Sequence, residues 1–261
     1  MPDLLIDRVG VGAGRLVKNL VTIAERTSIH FAEAAVTVCE PVGNTIAARI
    51  GLTKIRFVMN VADGFLFLPK EAEDGSREVS IVYHVMITNS YDLRPVLRVV
   101  ASLPKRSKNF QLTVFAKVEM LHELKEMGGT LGLGHFVIFR GVIRMEEVAR
   151  KIRPADIGVV LVAQSYYAKF ALPTKPLQHA RVGNTTVVAR FETITAYSSK
   201  EMVQAYEASD EEDLAEKLLE LIASNERRES VAYTLKGFST AHSWRKEGPT
   251  CLGILSRLKD G

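Results

Sequence analysis

The chain has 261 residues, 47% hydrophobic and 25% charged, a balance that suits one large or two modest folded domains and excludes global disorder. Its net charge of +4 arises from 34 basic against 30 acidic residues, spread along the whole length, so the basic excess singles out no class of anionic partner. Cys39 and Cys251 have no second cysteine or histidine at metal-ligand spacing, which reads as two free thiols in a reducing compartment and points to the cytoplasm.

The N-terminal MPDLLIDRVGVGAG has no basic stretch leading into an apolar one, and no apolar run reaches the ~18 residues of a membrane span. A helix is expected over 15–34, with Leu16, Leu20, Ile23 and Ala24 on one face, followed by a buried strand AAVTVC over 34–39 and an apolar run IRFVM over 55–59. The next segment, NVADGFLFLPKEAEDGSR, has no period and is rich in Asp, Glu, Gly and Pro. It marks a domain boundary: a first unit over 1–60 and a linker over 61–77.

Beyond it strands and helices alternate. Strands are expected at 80–85, 110–116, 136–139, 157–162 and 185–189, and helices at 91–103, 119–127, 145–152 and 174–181. Alternation of this kind predicts parallel strands with crossover helices. IGVVLV and TTVVA are apolar at nearly every position, as burial of both faces requires, so the fold class is α/β with a doubly wound parallel sheet. DEEDLAEKLLELIAS over 210–224 opens on acids that favour a helix start and carries Leu214, Leu218, Leu221 and Ile222 on one face. More helix is expected as far as Leu258.

In such sheets ligands bind at the carboxyl ends of strands, where helix N-termini offer free N–H groups to phosphate. ALPTKPLQ over 171–178 lies at such a place: Pro173 suits a helix entrance, Thr174 is a candidate cap and Lys175 adds a cation. The alternative is a proline-punctuated helix start with a solvated lysine. Gly10, Gly12 and Gly14 follow no strand and make a poor phosphate loop. His30, His84, His122, His135, His179 and His242 form no His-x-x-x-His pair and default to surface or capping roles, and no nucleophile elbow supports a hydrolase. No helix combines a basic face with interleaved aromatics, so nucleic acid is not expected as a partner.

Taken together, FAEAAVTVCEP, KIRFVMNVADGFLF, SIVYHVMITNSYDL, ADIGVVLV, ALPTKPLQHARVGNTTVVA, SDEEDLAEKLLELI and the stretch from His242 to Trp244 resemble segments of the group 1 glycosyltransferases of the GT-B type. The resemblance implies two Rossmann-like domains: a remnant of the N-terminal, acceptor-side domain over 1–60, a nucleotide-sugar-binding domain over 78–244 and a C-terminal crossover helix over 245–261. Most of the first domain of that family has no counterpart here. The implied activity is transfer of a sugar from a nucleotide-diphosphate donor, with retention, to a polysaccharide or glycolipid acceptor.

By position, Gly141 and Val142 match the loop that borders the base, and Leu172, Pro173, Thr174 and Lys175 match the diphosphate and sugar loop. Lys175 is the implied catalytic residue. Gln178 falls where a glutamate grips the ribose hydroxyls, Phe170 where a second glutamate stands, and Met86, beside Ile87, where an arginine often meets phosphate. Val85 and Tyr91 are further departures. No cofactor and no metal is implied beyond the donor substrate. The implied partners are a nucleotide sugar, a saccharide or lipid-linked acceptor and a chain supplying the acceptor domain. A cytoplasmic place, with room for a peripheral contact at the inner membrane face, fits these. The competing expectation is a truncated, non-catalytic remnant that binds nucleotide or docks on a partner.

Overall fold

The computed structural model describes residues 14–50, 55–70, 78–84, 92–116, 118–161, 172–197 and 202–258. Its N-terminal part comprises α1 (Gly14–Phe31), β1 (Ala35–Thr37), α2 (Glu40–Ile50) and β2 (Ile55–Phe57). β1 and β2 pair in parallel as a two-stranded sheet.

The main body follows: β3 (Val79–His84), α3 (Arg94–Ser102), β4 (Phe110–Phe115), α4 (Val118–Thr130), β5 (Val137–Arg140), α5 (Met145–Ile152) and β6 (Ile157–Val160). After it come α6 (Lys175–Val182), β7 (Thr185–Ala189), α7 (Glu192–Thr195), β8 (Gln204–Tyr206), α8 (Glu211–Ala223), α9 (Asn225–Ala241) and α10 (Trp244–Arg257). Six strands form one parallel sheet in the order β5-β4-β3-β6-β7-β8. The expected doubly wound sheet is present, and strand order reverses between β3 and β6.

Alternation along the strands sorts side chains to two helical layers. Ile81 and Tyr83 of β3, Ile157 and Val159 of β6 and Val187 of β7 enter one core with α3 and α8. Val82 enters the other, with Val148 and Ile152 of α5 and Leu177 and Val182 of α6. Because side chains repeat every second residue, His84 falls on the Val82 side, under α6.

Two expectations for the N-terminal part do not hold. The strand over 34–39 was expected to be buried, yet β1 is three residues long and its Val36 is 53% exposed. The apolar stripe of α1 faces solvent, with Leu20 58% and Ile23 57% exposed. Periodicity names the apolar side of an element, but burial also needs something to lie on it, and among the described residues nothing does.

The segment that reads as a linker is anchored at its described end. Lys70 N–H donates to Val182 O at 3.0 Å, and its ammonium donates to Ala155 O at 2.7 Å and lies 3.6 Å from Asp156.

Candidate functional site

The strand order reverses between β3 and β6, and the carboxyl ends of the strands at such a reversal are the place where open α/β sheets hold ligands. β3 ends there on His84, and the helix that follows β6, α6, returns over the same edge. Across the edge, His84 is level with Phe115, and Phe115 with Arg140. Gly141 and Val142, just past Arg140, therefore stand at the same rim, two strand spacings or about 10 Å from His84. Both are exposed.

α6 forms on KPLQHARV, with Pro176 tolerated in the first turn where no intrahelical N–H is needed. It stops at Gly183, whose φ of 88° is the left-handed conformation that glycine adopts freely. Thr174 occupies the cap position, but its backbone is helical and its hydroxyl makes no cap hydrogen bond. The expected Thr174 cap is thus absent, and the proline inside the helix entrance is Pro176, not Pro173. Pro173 and Leu172 instead line an apolar cavity of about 40 Å³ with Met59, Pro176, Tyr197 and Phe238, so these loop residues pack toward the N-terminal part.

Lys175, Gln178, His179 and Val182 repeat at helical spacing and share one face of α6. Burial pushes the Lys175 ammonium down to about 8, so it is still mostly charged at neutral pH while partly stripped of water. It lies close enough to His84 and His179 for its charge to disfavour protonation of both.

Two imidazoles lie beneath it. His84 is buried, 6% exposed, and burial first of all drives its pKa down to about 4. Its Nε2 is 3.2 Å from Gln178 Oε1. His179 is completely buried and held well below the usual histidine range, again mainly by burial. The two rings meet edge to face, 5.0 Å apart at 71°. Asn184 donates to Ile152 O at 2.8 Å and lies 3.2 Å from His179 Nδ1, which fixes that ring from below. On the strand side the ring occupies the space a side chain at position 158 would take: a Cβ on Gly158 would sit 2.4 Å from it.

The sequence reading assigned these histidines to surface or capping roles, and the structure corrects that. The signals were present: His84 closes an otherwise apolar strand, and His179 shares a helical face with Lys175. Leu172, Pro173, Thr174, Lys175 and Gln178 come together on and before α6, with Gly141 and Val142 at the far rim of the same edge. Met86, Ile87 and Phe170 lie outside the described residues.

A second concavity of about 440 Å³, between α3 and α8, is lined by Arg98, Arg106, Glu211 and Glu216. Its two arginines are paired, Arg98 with Glu211 and Arg106 with Glu216, and Lys105 and Glu212 add one charge of each sign, so its field for an anion is largely cancelled. Among the described residues no three His, Cys, Asp or Glu side chains stand together as metal ligands, and no helix is long and apolar enough to cross a membrane.

No protein-family model matches the chain, and no curated protein does. Solved structures do. Sucrose-phosphate synthase from Thermosynechococcus elongatus is 14% identical, with a TM-score of 0.79 over 100% of this chain and 66% of its own. Anabaena Alr3699/HepE in complex with UDP is 12% identical, with a TM-score of 0.76 over 95% of this chain and 70% of its own. The C-terminal domain of LpcC, a glycosyl transferase group 1 family protein from Francisella tularensis, is 18% identical, with a TM-score of 0.57; 69% of this chain covers 97% of that domain. The fold is that of the GT-B glycosyltransferases, and this chain spans about two thirds of the synthase's length.

Proposed function

We propose that this chain carries the donor site of a glycosyltransferase, which binds a nucleotide-diphosphate sugar and passes the sugar to a hydroxyl of a saccharide or lipid-linked acceptor. The observation that carries the reading is the placement of Lys175. A partly desolvated ammonium stands at the entrance of α6, over the sheet edge where strand order reverses, beside an imidazole that stays neutral. A cation of this kind gains most from an anion that replaces its lost water. HepE, of the same fold, is solved with UDP, which supports a nucleoside diphosphate as that anion.

In this reading the base lies toward Gly141 and Val142 and the diphosphate at α6. An acceptor hydroxyl oxygen forms a bond to the anomeric carbon with retention, the bond from that carbon to the diphosphate oxygen breaks, the leaving diphosphate takes up the negative charge, and the hydroxyl proton passes to one of its oxygens as the new bond forms. Lys175 stabilises that charge. Loss of one such preorganised donor lowers rates by ~10² to 10³.

Titration calorimetry with UDP, GDP and ADP tests the reading. At least one is expected to bind, and Lys175→Ala to weaken it about tenfold or more, the value of a charge-assisted contact. An unchanged Kd would remove Lys175 from the site. A second reading, a binding module without turnover, is favoured by Gln178, a neutral side chain at the position where the resembling family carries a carboxylate. Sugar transfer by this chain together with an acceptor-side domain would exclude it.

A further inference from the structure

We infer that Gln178 belongs to the phosphate site: it faces its ligand as a hydrogen-bond donor and takes a phosphoryl oxygen beside Lys175, rather than gripping ribose hydroxyls. The inference deepens the donor-site reading and rests on it. The argument begins with His84. Its Nδ1 is buried without a partner among the described residues, and its Nε2 meets the Gln178 amide at 3.2 Å. Only one ring nitrogen of a neutral imidazole carries the proton.

If the amide donated to Nε2, the proton would sit on Nδ1 and leave a buried N–H unsatisfied. If His84 donates instead, the orphan is an acceptor lone pair, which proteins tolerate more readily. The second arrangement is the one with Oε1 toward the ring, as found. His84 thereby occupies the acceptor oxygen of Gln178, and the two N–H bonds of the amide are left for the ligand. Gln178 is only partly buried, and its Nε2 makes no hydrogen bond to any described residue.

Lys175 precedes Gln178 by one helical turn on the same face. An ammonium and a primary amide whose oxygen is already used form an all-donor pair. Ribose hydroxyls can serve a carboxylate by donating to it, whereas phosphoryl oxygens only accept, so an all-donor pair suits the diphosphate.

Inorganic pyrophosphate, which has no ribose, is the discriminating probe. Its Kd, and those of UDP and 2′,3′-dideoxy-UDP, are measured by calorimetry for the wild type, Gln178→Met and Gln178→Glu. Gln178→Met is expected to weaken pyrophosphate and UDP alike by about tenfold or more, the value of a hydrogen bond to an anionic oxygen. Gln178→Glu is expected to weaken both by more than tenfold, because a carboxylate then faces a phosphoryl oxygen. Loss of the ribose hydroxyls is expected to give the same ratio in the wild type and in Gln178→Glu. Pyrophosphate binding unaffected by Gln178→Met, or UDP binding tightened by Gln178→Glu, overturns the inference while leaving the donor site intact. Absence of any nucleotide or pyrophosphate binding by the wild type overturns the donor site itself. Should a variant fold poorly, ¹⁵N spectra of the wild type decide: His84 must carry its proton on Nε2, and the Gln178 amide protons must shift on adding pyrophosphate.

Discussion

At the scale of the residue, the charge of Lys175 sets the pH response expected of the proposed site. Burial lowers its pKa to about 8, so the ammonium prevails below that value and is lost as pH rises through it. A nucleoside diphosphate keeps its charge over the same range, because the last ionisation of a phosphate lies near ~6. Bound anion favours the charged lysine and raises its pKa, so by linkage affinity declines as pH climbs above the free value. The Kd of UDP is therefore expected to be flat from pH 6.5 to 7.5 and to rise about tenfold per unit at most above pH 8. Lys175→Arg, with a guanidinium charged throughout, is expected to flatten that rise. A wild-type profile level to pH 9.5 would show that the ammonium does not meet the anion.

At the scale of the element, the site depends on how closely α6 lies on β6. Gly158 is the point of closest approach, and the His179 ring above it is held by Asn184 and His84. A methyl group there has no room, and neither neighbour can yield. Gly158→Ala is expected to cost about 1–3 kcal/mol, as overpacking does, and to lower the urea midpoint accordingly. Combined with His179→Ala it is expected to cost less than the sum of the two single changes, since the second removes what the first collides with; strict additivity would mean the ring does not fill this notch. Such closeness was not legible in the sequence. The elements largely were: α5 over Met145–Ile152 and β7 over Thr185–Ala189 match their expected ends, because each carries a clear period or a wholly apolar run between breakers. α7 and β8, of four and three residues, were not, since so short an element has no period to read. In the candidate site, the nearness of Lys175 to Gln178 was legible from the loop and helix that carry them, but the burial of His84 and His179 beneath them was not. Burial of an imidazole depends on partners brought from 94 residues away, as in the His84 to Gln178 contact, and no local pattern encodes that.

For the whole molecule, the question is how firmly the N-terminal part is tied to the main body. Among the described residues three backbone N–H groups cross over: Glu40 to the Tyr197 hydroxyl at 2.7 Å, Met59 to Glu247 Oε2 at 3.1 Å and Lys70 to Val182 O at 3.0 Å. They reach separate elements, so no single one fixes the arrangement. Glu247 also faces His242 at 3.4 Å, which ties the start of α10 to the same seam. A neutral tie contributes about 0.5–1.5 kcal/mol and one to a carboxylate about 1.5–3, enough to hold the parts together while allowing local opening. Tyr197→Phe combined with Glu247→Ala removes two of the three and leaves the Lys70 tie. Amide exchange at Glu40 and Met59 is then expected to accelerate by about 30-fold or more, each 1.4 kcal/mol being a factor of ten. The Kd of UDP is expected to stay within twofold, because Lys175 and Gln178 are positioned by α6 and β3, on the main-body side of the seam. A nucleotide affinity that fell with the exchange protection would instead make the N-terminal part a structural component of the donor site.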